Sequence, residues 1–337
     1  MAANTGTNSA TPVVIPYVHA ILDARALGDE IRKHYALDAP GHCELLVRGM
    51  NDVYLVRAGG NRYAARCWRA SGVTEASVAY ELGFLDHLDR AAVPVSSALP
   101  TNDGRFHFTV QGPDGTRAVA LFRWIEGDVL HEHPAPTPHA RRFGELIARM
   151  HLAGQDYRPA SPRYTDYPGH IRSGLVDLEW LCDDRPDDIA FYRQAIPAVA
   201  DALDRLDRDS LPWGPTHGDI HPHNALIDDE DRLTIMDFES CGEDFLAQDL
   251  VSLVWAGRKN SFPDAAIAAF HDGYDSLRPR SAEERRAEPL FLAAKELRYL
   301  CGFAGRVNAI GHNTFRFPGL DWFARSVRAN VAAAGIF

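Results

Sequence analysis

The chain has no CxxC pair, no basic excess and no apolar run near the roughly 18 residues needed to span a bilayer. Its five cysteines, Cys43, Cys67, Cys182, Cys241 and Cys301, are odd in number and far apart. That spacing excludes a disulfide framework and a zinc knuckle, and it fits a reducing cytoplasm. Lys and Arg total 35 against 46 Asp and Glu, for a net charge of −11. The sign disfavours broad binding to nucleic acid or an anionic membrane and is compatible with a cationic small substrate. The opening MAANTGTNSATP lacks a basic segment followed by an apolar one, so residues 1–19 are expected to be a flexible tail and not a signal peptide. No internal repeat is present. Within 337 residues, an apolar fraction of 46% leaves room for two lobes with real cores.

Two kinds of periodicity divide the remainder. CELLVRG (43–49), DVYLVRA (52–58) and RYAARCWR (62–69) look like strands, the last two joined across Gly59-Gly60 as a hairpin turn. A helix over 74–92, capped by Thr74 and closed by Pro94, precedes a second hairpin made by RFHFTV and RAVALFRWIEG. Beyond residue 128 the spacing is mostly helical, over 135–154, 187–206, 246–257, 262–277 and 282–310. The pattern predicts an α+β architecture: a small sheet-plus-helix lobe over 20–127, a hinge near Trp124–Asp128, and a larger helical lobe over 128–337.

Between the helices lies THGDIHPHNALIDDE (216–230), with three histidines and an aspartate in eight positions. His217, His221 and His223 have spacings that zinc can use. Pro222, however, separates two of them, and no Glu stands adjacent as a base. The same stretch contains His217-x-Asp219-x4-Asn224, followed thirteen residues later by Asp237 in TIMDFE. Phosphoryl transfer asks mainly for positioning and charge neutralisation. It needs one carboxylate beside the attacking hydroxyl, and an amide oxygen with a second carboxylate to hold Mg²⁺ against nucleotide phosphates. The apolar stretches ALI and LTIM suit a hairpin that brings Asn224 and Asp237 together.

HGDIHPHNAL followed by DFE resembles the loop of the aminoglycoside phosphotransferase and choline kinase superfamily, whose pattern is close to HGDxHxxNxL with DFE or DWE downstream. The resemblance extends over about residues 20–310 and implies a two-lobed, protein-kinase-like fold. It also implies Asp219 as catalytic base, Asn224 and Asp237 as Mg²⁺ ligands, and His217 as a brace for the loop. Asp249, in QDL where the family has YDL, is either a second brace or a helix-start residue. His221 and His223 are expected to pack or to line the rim. For ATP (or GTP), Arg66 would grip the phosphates from the third strand with Glu81 behind it, although the family often has VLRVYR there. No GxGxxG covers the phosphates. Gly49 and Asn51 are the permissive residues of the first turn, and the backbone around Trp124 and Ile125 would meet the base.

The resemblance implies a small-molecule hydroxyl acceptor such as an amino sugar, an aminoglycoside, a homoserine-like amino alcohol or a choline-like compound. A protein Ser/Thr acceptor of the stress-response type and a silent nucleotide-binding module are the rival readings. Glu239, Glu243 and Asp244 are candidates to meet an acceptor's ammonium group.

Overall fold

A five-stranded sheet and two helices build the small lobe. The computed structural model describes residues 19–38, 41–307, 311, 315 and 318–337; most of the expected tail and the last residues of the expected 282–310 helix lie outside these. Five strands, β1 (His42–Arg48), β2 (Asp52–Ala58), β3 (Asn61–Cys67), β4 (Phe108–Gly112) and β5 (Gly115–Arg123), form an antiparallel sheet in the order β1-β2-β3-β5-β4. The β2–β3 turn runs through Gly59 and Gly60 at φ +57° and +81°, conformations that glycine adopts without strain.

Helix α1 (Ala24–His34) covers one face of the sheet, where Leu27, Ile31 and Tyr35 pack with Tyr54, Val56, Phe108 and Leu121. Helix α2 (Glu75–Arg90) opens with a reciprocal capping box between Thr74 and Ser77. Its Val78, Leu82 and Leu85 join Trp68 and Phe122 of the sheet, and Ile220, Ile235 and Phe238 of the large lobe, in one core. That shared core sets the position of α2 relative to the loop at 217–224. His19, placed in the tail by sequence, instead contacts Asp52 at 3.0 Å, and Asp52 also binds the fully buried Arg117 at 2.8 Å.

Strand β6 (Asp128–Val129) opens the large lobe. There follow α3 (Pro136–Gly154), α4 (Tyr167–Ser173), α5 (Leu175–Leu181), α6 (Pro186–Asp204), β7 (Trp213–Thr216), β8 (Ala225–Ile227), β9 (Leu233–Ile235), β10 (Gly242–Phe245), α7 (Ala247–Asn260), α8 (Asp264–Leu277), α9 (Ala282–Ala304) and α10 (Leu320–Ala333). Helices α3 and α8 touch backbone to backbone. A Cβ on Gly144 would lie 1.9 Å from the Phe270 carbonyl oxygen, and one on Gly273 would lie 1.9 Å from that of Arg141. A second core, formed by α4 to α7, α9 and α10, fills the rest of the lobe. None of the described helices is long and apolar enough to cross a membrane.

Candidate active site

The loop after β7 is positioned from three sides. Thr216, the last residue of β7, pairs with Gly242 of β10. The β8–β9 hairpin lets Met236 N donate to Asn224 O at 3.0 Å, so Asp237 follows directly beside Asn224. Beneath the loop lies Asp249, in the first turn of α7 and fully buried. Its Oδ2 accepts from His217 N at 2.7 Å and its Oδ1 from Gly218 N at 2.7 Å. Gly218 itself is required, at φ +81°, because a Cβ there would lie 2.2 Å from the Ser240 carbonyl oxygen. Asp249 is a brace for the loop, not merely a helix-start residue.

His217 is also fully buried. Its Nε2 donates to Met236 O at 2.9 Å, and its Nδ1 accepts from Asp219 N at 3.3 Å. Burial pushes the imidazole below its ordinary pKa, the neutral form that this pair of bonds requires. With both ring nitrogens engaged and His223 stacked on His131 at 4.2 Å, the three imidazoles of the loop do not converge on one point. His151 of α3 extends the brace. Its Nε2 lies 3.0 Å from Asp249 Oδ2, and its Nδ1 lies 2.8 Å from the Tyr274 hydroxyl of α8.

Asp219 sits above this brace with 41% of its side chain exposed. Asn224 Nδ2 donates to the Asp219 carbonyl at 3.0 Å. Lys295 Nζ, from α9, lies 2.9 Å from Asp219 Oδ1, and His221 Nε2 lies 3.5 Å from Oδ2. Burial would raise the Asp219 carboxyl, but the Lys295 ammonium and His221 outweigh it and hold the group well below the usual carboxylate range. Asp237, two residues into the DFE turn's approach from β9, has left-handed backbone angles, φ 67° and ψ 61°. That conformation is uncommon for a non-glycine residue, though aspartate adopts it more readily than most.

From the small lobe, Arg66 of β3 donates to Glu81 Oε1 of α2 at 2.6 Å. The same guanidinium lies 3.8 Å from Asp237 Oδ1 and within 4.9 and 5.1 Å of the Trp68 and Phe122 ring centres. Although burial acts to lower it, Glu81 and Asp237 raise its pKa. Asn51 donates to the Glu239 carboxylate and accepts from Arg69 N at 3.2 Å, while Arg69 Nη2 donates to Gly49 O at 2.6 Å. Trp124 and Ile125 lie between β5 and β6. The Trp124 Nε1 is buried with no hydrogen-bond partner among the described residues.

The structure therefore brings Arg66, Glu81, Asn51, Asp219, Asn224 and Asp237 around one junction between the lobes, and sets His217 beneath it. The three acids suggested for an ammonium group have other partners. Glu239 takes Asn51, Glu243 takes the Tyr80 hydroxyl at 3.1 Å, and Asp244 takes Thr165. Lys295 and His151 were not singled out from sequence. The signal for Lys295 was a lone lysine within the apolar stripe of FLAAKELRYL.

Residues 46–289 match the phosphotransferase enzyme family. An uncharacterized protein of Deinococcus radiodurans is 31% identical over 307 residues, covering 90% of this chain and 88% of its own length. A homoserine kinase of Rhizobium etli is 28% identical over 231 residues, 67% of this chain and 68% of the kinase. Among solved structures, an amicoumacin kinase bound to AMP-PNP and Ca²⁺ superposes with a TM-score of 0.74 at 14% identity, covering 91% of this chain and 93% of that one. The chain belongs to the phosphotransferase enzyme family, with the two-lobed kinase-like fold. It is a small-molecule phosphotransferase whose acceptor is an alcohol group.

Proposed function

We propose that the protein transfers the γ-phosphoryl group of ATP directly to a hydroxyl of a small molecule, with Mg²⁺ and without a phosphoenzyme intermediate. The observation that carries this reading is the meeting of Arg66 with Asp237 across the lobes, beside a loop that presents Asp219 and Asn224 on a buried brace. In this reading residues 20–127 hold the nucleotide phosphates and residues 128–337 hold the acceptor.

The oxygen donors suit a hard cation. Asn224 spends its amide nitrogen on the Asp219 carbonyl, which leaves the amide oxygen for a metal. The Asp237 side chain is 50% exposed and receives no hydrogen bond among the described residues. Asn224 and Asp237 would hold Mg²⁺, which would supply charge neutralisation for the nucleotide phosphates. Arg66, held by Glu81, adds a fixed positive charge on the small-lobe side. Asn51 and Gly49 order the turn over the phosphates, and the chain at Trp124 and Ile125 meets the base.

Asp219 orients the acceptor hydroxyl through Oδ2, since Lys295 occupies Oδ1. A carboxylate held this acidic is a weak base, which suits a loose transition state in which the hydroxyl proton leaves late. Orientation is then its main contribution. Asp219 cannot drift, because its own backbone N–H is tied to His217 and that histidine to Asp249.

Equilibrium titration with Mg·AMP-PNP tests the assignment. Wild type should bind in a Mg²⁺-dependent manner, Asp237→Ala should weaken binding by roughly tenfold or more, and Asp219→Asn should keep most of the affinity. Equal affinity in Asp237→Ala and wild type would remove the metal role.

A further inference from the structure

We propose that the acceptor carries an anionic group, a carboxylate or a phosphate, which is held beside its hydroxyl by Arg298 and Lys259. This deepens the phosphotransfer reading and rests on it. Lys295, Arg298 and Tyr299 occupy i, i+3 and i+4 on α9 and so share a face, as Trp255 and Lys259 do on α7. Lys295 binds Asp219 at 2.9 Å and lies 6.0 Å from the Trp255 ring centre. The Lys259 ammonium lies 5.9 Å from the same ring and 5.3 Å from that of Tyr299. The Arg298 guanidinium stacks 4.4 Å over Tyr167 and donates to its hydroxyl at 3.0 Å. Three cations and three aromatic rings thus gather next to the one carboxylate that faces the acceptor.

The charges there do not balance. Asp219 is matched by Lys295, yet neither Arg298 nor Lys259 has a carboxylate within ion-pair distance among the described residues. The nearby Asp244 is buried, bonded to Thr165 and to Phe245 N, and pushed up to about 7 by that burial, so at neutral pH it is only partly ionised and offers Arg298 a partial countercharge. Both cations are half-buried, and burial lowers Lys259 with only Asp219 acting against it. Cations withdrawn from water without a partner are costly. An acceptor anion would supply that partner and fix the hydroxyl over Asp219. The patch is positive within a chain whose net charge is −11, so it does not reflect the overall composition. The aromatic rings add cation–π support that holds the side chains in place before the ligand arrives.

The full-length protein, saturated with Mg·AMP-PNP, should be titrated calorimetrically with four alcohols of similar size: D-glycerate, glycerol 3-phosphate, glycerol and the cationic serinol. Failure of AMP-PNP to bind at the first step would overturn the phosphotransfer reading itself, separately from the sign of the acceptor. With the nucleotide bound, at least one of the two anions should bind roughly tenfold or more tightly than glycerol and serinol, and which one does separates carboxylate from phosphate. Arg298→Met and Lys259→Met should each erase most of that preference. Lys259→Met, at a half-exposed helix end, keeps the test open if the Arg298 variant does not fold. Arg193→Met, on the exposed side of α6, should leave the preference intact. Glycerol or serinol binding as tightly as both anions, or a preference that survives in both variants, would overturn the proposal.

Discussion

Replacing Asp249 by asparagine keeps its shape and removes its charge, which isolates the brace beneath the loop at 217–224. The carboxylate accepts three hydrogen bonds: His217 N at 2.7 Å, Gly218 N at 2.7 Å and His151 Nε2 at 3.0 Å. Burial raises its pKa, but His151 and His217 outweigh that and hold it below the ordinary value, so it is ionised at neutral pH and the substitution removes a real charge. An asparagine oxygen in the Oδ2 position can still serve His217 and His151. Its NH₂ would then confront the Gly218 N–H, donor against donor. One charge-assisted bond is lost, a buried donor is left unsatisfied and the other two bonds weaken, at a combined cost of roughly 2–4 kcal/mol. For a chain of 337 residues that lowers Tm by roughly 3–6 °C. Asp219 lies two residues from His217, so the loop shift should also lower kcat by about tenfold or more, with a smaller change in KM for ATP. Thermal melts and steady-state kinetics at pH 7.5 measure both. Unchanged Tm and kcat would refute the brace.

Arg66→Lys exchanges a planar fork stacked between Trp68 and Phe122 for a point charge, and KM for ATP should rise about tenfold with a smaller change in kcat; an unaltered KM would remove Arg66 from phosphate binding. Gly273→Ala forces a Cβ against the Arg141 carbonyl and should cost about 1–3 kcal/mol in a denaturant melt. Gly302→Ala, in α9 with open space around its Cβ position, should instead stabilise by roughly 0.5–1 kcal/mol. Glu296, fully buried, is pushed by burial from the ordinary 4.5 up to about 7. Its raised value makes a stabilising contribution that is full below pH 4.5 and is lost as pH rises through about 7, on the order of 3 kcal/mol in total. Glu296→Gln should flatten the fall in Tm between pH 5 and 8 that wild type shows, as a melt series would register.

The sheet lobe was legible because its strands are rich in valine and aromatic residues and its two tight hairpin turns carry glycine, Gly59-Gly60 in one and Gly112 and Gly115 in the other. Asn224 and Asp237 were legible as neighbours because ALI and LTIM flank a short turn. Strands β7 and β10 went unread: WGPT and GEDF are four residues long, contain Gly or Pro, and pair only because the chain at 217–241 folds back between them. Helix α10 was missed behind the Phe-Pro-Gly stretch that precedes it. Lys295 illustrates the larger limit. It sits 76 residues from Asp219, and no local pattern announces that a buried lysine on one helix will meet an aspartate on a distant loop. The same holds for the His151–Asp249 bond across 98 positions.

Phosphoryl transfer to an alcohol is tested by nucleotide turnover with Mg·ATP across a panel of small alcohols, with Asp219→Asn run beside wild type. Wild type should release ADP and form a phosphorylated alcohol, both dependent on the acceptor supplied. The variant should lose about 10²–10⁴-fold in kcat. Acceptor-dependent phosphorylation that proceeds equally in wild type and Asp219→Asn would contradict that expectation.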